Sequence, residues 1–273
     1  ASVKNTGWEF LVNYRKQLTK DFSIDATLNL STLKNEVLSL GDNVQPITSG
    51  AMSSSFSDSP SITKPGEAIG SFYGYKINGF DADGNFIFAD TDNNGSVDAN
   101  DKVILGNPIP DFSYGLNLTM SYKDFDLTMF FQGVQGNEIF NQKKYTYYFD
   151  YSNNCVTDVL NAWTKNNQNT NIPIMKTQNT DGGNSLPSEF YIEDGSYFRC
   201  KNLQLGYNFP KSILNKISFN KLRVYAGVQN LFTITNYSGY DPEVSSNALF
   251  SRGIDSASYP NARTFTFGFN ASF

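Results

Sequence analysis

The chain has 273 residues, a formal net charge of −5 and 39% hydrophobic, 17% charged and 15% aromatic residues, including 23 Phe and 16 Tyr. So many rings at so low a charge exclude disorder, and the negative balance lacks the basic footprint that a nucleic-acid partner requires. Histidine is absent, which removes imidazole acid–base chemistry, Ser–His and Cys–His nucleophile pairs and HExxH zinc sites. No apolar run approaches the ~18 residues of a membrane helix, a restriction that leaves membrane-crossing strands open.

Alternation with a period of two runs through the chain, and it predicts strands whose two faces differ. Trp8, Phe10, Val12 and Tyr14 alternate with Glu9, Leu11, Asn13 and Arg15, with Leu11 the one lapse. After the short turn Leu18–Asp21, Phe22, Ile24, Ala26, Leu28 and Leu30 alternate with Ser23, Asp25, Thr27, Asn29 and Ser31. A long segment, 41–111, follows. Inside it, Asp81–Gly84 reads as a turn and Asn85–Ala89 as a short strand.

The pattern resumes at Phe112, Tyr114, Leu116, Leu118, Met120 and Tyr122, and again, past Lys123-Asp124, at Phe125, Leu127, Met129 and Phe131. A second long segment, 133–198, carries the aromatic run Tyr145, Tyr147, Tyr148, Phe149 and Tyr151. Sugar stacking and plain loop packing both suit that run, packing being the commoner fate of large rings. Asp158–Lys165 reads as a short helix capped by Thr157 or Asp158. Three further strands follow, over Asn202–Phe209, Leu222–Gln229 and Phe265–Phe273; the last two are separated by a third long segment, Thr233–Arg263.

An apolar face can be the core of a sandwich or the lipid side of a barrel. Aromatics sit at the ends of the apolar faces, as an interfacial girdle requires. Connections also alternate between short and long, as the turns and loops of an outer-membrane barrel do. The expected fold is therefore all-β: a transmembrane antiparallel β-barrel with long extracellular loops. An odd count of seven strands, descending at the last, makes 1–273 the expected C-terminal portion of a larger barrel, because a closed bacterial barrel has an even number. The rival is a secreted, calcium-stabilised β-sandwich adhesin or carbohydrate-binding module.

Several segments carry a resemblance. Gly70-Ser71-Phe72-Tyr73-Gly74-Tyr75, Gly106-Asn107-Pro108 with Pro110-Asp111-Phe112, Phe131-Gln132-Gly133-Val134-Gln135-Gly136-Asn137, Glu193–Arg199, Lys201–Tyr207 and Asn230-Leu231-Phe232 resemble the SusC/RagA-like TonB-dependent outer-membrane transporters. The similarity runs from about Gly7 to Phe273 and matches the C-terminal third of the family's barrel. It implies a plugged barrel of about 22 strands in outer-membrane lipid. It further implies TonB-driven import of glycan or peptide fragments with a SusD-like surface lipoprotein. The plug and TonB-contacting segment lie N-terminal in that family and match nothing here. The last strand, ending at Phe273, resembles the family's C-terminal assembly signal.

The sharpest motif is Asp90–Asp101, which fits a 12-residue EF-hand-type calcium loop. Asp90, Asp92 and Asn94 take positions 1, 3 and 5, Gly95 the sharp turn, the Ser96 carbonyl position 7, Asp98 position 9 and Asp101 the closing position. Asp101 stands where Glu is usual, so bidentate closure has a shorter arm. Ca2+, in a structural role, is the expected cofactor; the metal-free alternative is an acidic Asx-turn loop. Cys155 and Cys200 make no CxxC, and either a disulfide or free thiols suit their spacing. Glu9, Arg15, Asp25, Asp126 and Arg223 fall on the polar face, as permeation lining, plug anchors or solvated charges. With no convergent acid–base pair, no enzyme is expected.

Overall fold

A computed structural model describes residues 1–50, 58–150, 154–176, 183–216, 218–244 and 248–273. Seven long strands form one antiparallel sheet whose spatial order is the chain order: β1 (Glu9–Gln17), β2 (Phe22–Thr32), β3 (Phe112–Tyr122), β4 (Phe125–Gln135), β5 (Tyr197–Asn208), β6 (Lys221–Thr235) and β7 (Thr264–Ser272). The longest-range pairing within this sheet is unbroken, from Tyr122 opposite Phe22 to Phe112 opposite Thr32. A one-residue slip there would turn every side chain of the strand to the wrong face.

The three short connections lie at one end of the sheet. The amides of Leu18 and Thr19 donate to the Phe22 carbonyl, closing the first turn. Lys123-Asp124 forms a two-residue hairpin with Lys123 at φ 53°, a positive φ that primed hairpin turns demand. The Lys123 amide donates to the Asp21 carbonyl at 2.8 Å, tying two turns together. The third, between β5 and β6, contains the short helix Lys211–Leu214. All three long connections leave from the opposite end.

The apolar face of this sheet is open. Phe267 and Phe269 are 79% and 71% exposed, and Trp8, Phe10, Val12, Leu28, Phe125, Leu205 and Val224 are exposed as well. No second layer covers them among the described residues, which rules out the sandwich. In water each such side chain forgoes about 1.5–3 kcal/mol of burial; hydrocarbon supplies it. β1 and β7 each pair on one side only, so the sheet is an arc and not a closed cylinder. No described helix is long and apolar enough to cross a membrane.

The buried core lies in the long connections, which together form a cap at their end of the sheet. Phe72, Phe86, Phe140, Tyr148, Phe149, Ala162, Ile172, Tyr191 and Ile254 pack together, and Phe140 stacks on Tyr191 with centroids 5.0 Å apart. Short strands frame them: Glu138–Asn141 pairs with both Ile192–Asp194 and Ile254–Asp255, so all three segments meet in one small sheet drawn from two different connections. The expected short strand in the first connection is Phe86–Phe88, paired with Ile77–Phe80. Gly84, at φ 81°, makes the turn between them, and a Cβ there would lie 2.2 Å from the Trp163 ring.

The helix expected over Asp158–Lys165 is instead a 3-10 turn, Thr157–Asn161, with Val156 at its start and no side-chain cap. Burial ends it early: the Trp163 amide donates to the Ile172 carbonyl at 2.9 Å, which takes that residue out of any helix and seats its ring in the cap.

Candidate functional site

The polar face of the sheet is a ladder of paired charges. Arg15 ion-pairs with Asp25 on the neighbouring strand, and Thr27 donates to Asn13 at 2.7 Å. Two strand pairs further on, Arg223 Nη2 contacts Asp126 at 2.5 Å and also donates to Gln204, while Asn208 donates to Asp126 at 3.0 Å. The expected face is therefore right, and four of its five charges hold one another across strands. Glu9 makes no such pair among the described residues.

The strongest polar cluster on that face was missed by the alternation. Arg199 is 2% exposed; it contacts Asp241 at 2.5 Å and Glu243 at 2.7 Å, and Lys201 contacts Glu243 at 2.7 Å. Gln132 donates to the Tyr197 hydroxyl and Glu243, and Asn261 donates to Asp241 and Glu243. Burial opposes ionisation of Asp241, but hydrogen bonds from Arg199 and from the Asn261 and Glu243 amides outweigh it and hold the carboxyl below its ordinary range. The cluster ties the β6–β7 connection to the polar face.

A bulge puts Arg199 there. Lys201 is unpaired: Phe130 faces Asn202, but Phe131 faces Cys200, and on the other side Asn230, at φ 52°, and Leu231 sit opposite the gap. One extra residue reverses the facing of everything before it. Arg199 thus joins Gln132 and Thr233 on the polar side, and Cys200 falls on the apolar side opposite Phe131 and Phe232. The signal available in sequence was Tyr240-Asp241-Pro242-Glu243, two acids bracketing a proline shortly after a strand.

Both cysteines are free thiols, Cys155 exposed and Cys200 buried. Of the aromatic run, Tyr148 and Phe149 belong to the core and Tyr145 and Tyr147 pack against it, while Tyr151 lies outside the described residues. Burial, with Asp158 and Glu193 nearby, raises the Tyr148 phenol to about 12.

In the Asp90–Asp101 loop, one carboxylate oxygen each of Asp90, Asp92 and Asp101 lie within 4.8 Å of one another. Asp101 is buried; one of its oxygens accepts from the Thr91 and Asp92 amides, the other from the Asp98 amide at 2.8 Å. Led by the Asp98 amide, these bonds hold its carboxyl below the usual range. Asp90 accepts from the amides of Asn94 and Gly95, and Gly95 turns at φ 90°. Asn94 Nδ2 donates to Asp92, and its Oδ1 accepts from Ser96. Asp98 stands apart from the carboxylate group and caps the 3-10 turn Ala99–Asp101 through the Asn100 amide. The donor set is all hard oxygen, which suits Ca2+.

Comparison with known proteins places this architecture. No family model matches the chain. It is 37% identical to TonB-dependent receptor P3 of Formosa agariphila over 99% of its own length and 29% of that protein's. It is 32% identical to TonB-dependent receptor SusC of Bacteroides thetaiotaomicron, over 100% of the chain and 26% of the relative. The RagAB peptide transporter superposes with a TM-score of 0.81 at 24% identity, over 99% of the chain and 29% of its counterpart. The chain thus spans under a third of the proteins it matches. Those relatives are receptors and transporters of the outer membrane, not enzymes. Whole-chain likeness to such receptors, a barrel-wall fold and a bare lipid-type face together make this a portion of a SusC/RagA-like TonB-dependent outer-membrane β-barrel.

Proposed function

We propose that the intact protein imports oligomeric nutrients, glycan or peptide fragments, across the outer membrane. In this reading the chain is the C-terminal portion of the barrel; plug and TonB contact lie in the part that precedes it, and a SusD-like surface lipoprotein closes the outer face. The observation that carries the reading is the sheet's exposed apolar face backed by a paired, polar inner face, in a chain whose relatives are TonB-dependent receptors. A cell lacking the full-length receptor should lose uptake of fluorescent oligomers larger than porins pass, and affinity-purified receptor should carry a surface lipoprotein. Unchanged uptake of every glycan and peptide oligomer the wild type consumes would overturn the import reading.

The Asp90–Asp101 loop binds one Ca2+, which neutralises carboxylates that otherwise repel and fixes the first long connection. Asp90, Asp92 and Asp101 supply the converging oxygens, with Asn94 and the Ser96 carbonyl completing the shell and Asp98 at its edge. Support comes from the spacing together with the convergence of three carboxylates. Calorimetry with Ca2+ should give a single-site heat for wild type and none for Asp92→Ala; no heat from wild type ends the proposal.

A further inference from the structure

The cap holds a second, unassigned feature beside the short helix Lys143–Tyr148. Lys143 is buried, and among the described residues its Nζ makes no hydrogen bond of ordinary geometry, the Tyr240 side chain being its nearest polar company. The ammonium lies 3.2 Å from the centroid of the Tyr240 ring and 5.6 Å from that of Tyr147. Ring faces attract a cation but offset only part of what desolvation costs it.

Its neighbours are spoken for. Lys144 is paired with Glu193 at 2.9 Å and donates to the Phe190 carbonyl. Glu193 also accepts from Asn141 and the Ser238 hydroxyl on Oε1 and from the Ser238 amide on Oε2, so its Oε1 is saturated, and it forms no ion pair with Lys143 among the described residues. Asp158 is the other carboxylate on the wall of this region and forms no ion pair with Lys143 among the described residues. Two hollows, of about 300 and about 280 Å3, flank the ammonium.

The larger hollow lies against Tyr147, Tyr240 and Ser256; the other also has Asn141 on its wall. Asn141 Nδ2 points at Glu193 and Ser238. A carboxylate only accepts, which fixes the amide's orientation and leaves Asn141 Oδ1 buried without a donor among the described residues. The second hollow therefore has both residues on its wall, a cation and an amide oxygen that are each without a hydrogen-bond partner among the described residues. Buried polar groups in native proteins are nearly always partnered.

We propose that this cleft binds a carboxylate on Lys143, carried by a ligand whose adjacent O–H or N–H meets Asn141 Oδ1. An acidic sugar residue and the C-terminal residue of a peptide both have that chemistry. The proposal deepens the import reading by naming the charge of the cargo, and rests on it for the side of the membrane the cleft faces.

The test is calorimetry on the full-length receptor in detergent, with trigalacturonate and its methyl ester as one probe pair and trialanine and its C-terminal amide as the other. At least one free acid should bind about tenfold tighter than its neutral partner, and the pair that does so names sugar or peptide as the source. Lys143→Met should erase the preference and Lys143→Arg keep it; if Lys143→Met fails to assemble, Lys143→Gln serves in its place. No preference in either pair, or one that survives loss of the charge, overturns the assignment. Binding of the acid without its uptake by cells would leave the cleft standing and count against import.

Discussion

Phe140 and Phe267 are both strand phenylalanines, yet the first is fully buried and the second 79% exposed. Phe140 sits in the cap built by the long connections, where irregular segments wrap apolar side chains inward and against one another as in any soluble domain. Phe267 sits in the arc of long strands, which turns its apolar side out and its charges in. The two regions obey one rule, that apolar surface leaves water, but in different solvents. The cap makes its own apolar medium; the arc borrows one from the membrane.

Substitutions should separate the two. Phe140→Ala removes a ring from the packed cap and should cost about 3–5 kcal/mol, read as rapid proteolysis of the long connections while the barrel of the full-length protein keeps its heat-modifiable mobility on gels. Loss of the barrel as well would show that cap and arc are one unit. On the arc, Leu118→Arg at mid-membrane should cost about 2–4 kcal/mol, whereas Asn117→Arg, one residue away on the polar face, should fold within about 0.5 kcal/mol of wild type. Equal costs at those two positions would undo the assignment of faces.

A smaller effect sits where cap meets arc. The native Asp241 carboxyl titrates below its ordinary value of 3.8. Its contribution is therefore complete above that value and is lost as pH falls below it, through the lower native value. Acid should loosen the β6–β7 connection, seen as faster amide exchange around Asn261, and Asp241→Asn should abolish that pH dependence.

The same comparison explains what was legible in the sequence. β3 emerges with its expected bounds, Phe112–Tyr122, because alternation is enforced residue by residue where one face meets lipid and the other water. β5 and β6 run longer than alternation suggested, reaching Tyr197 and Thr235, since the bulge at Lys201 reverses the facing and hides Arg199 from any strict period-two reading. The cap was barely legible: Phe72, Phe86, Phe140, Tyr191 and Ile254 come from five separate short segments, and no local period marks residues that meet only in three dimensions. The convergence of Asp90, Asp92 and Asp101 was legible because their spacing is local; the Lys143 cleft was not, because what marks it is the absence of a partner among the described residues.

The most direct measurement of the central claim places nitroxide labels, one at a time, at Phe265, Thr266, Phe267 and Gly268 of the full-length receptor in bilayers. Relaxation by oxygen, which concentrates in hydrocarbon, should be high at Phe265 and Phe267 and low at Thr266 and Gly268, with a water-soluble nickel chelate giving the opposite alternation. Labels at Phe265 and Phe267 that the chelate reaches freely and oxygen does not would contradict the account, for the arc's apolar face would then not touch lipid.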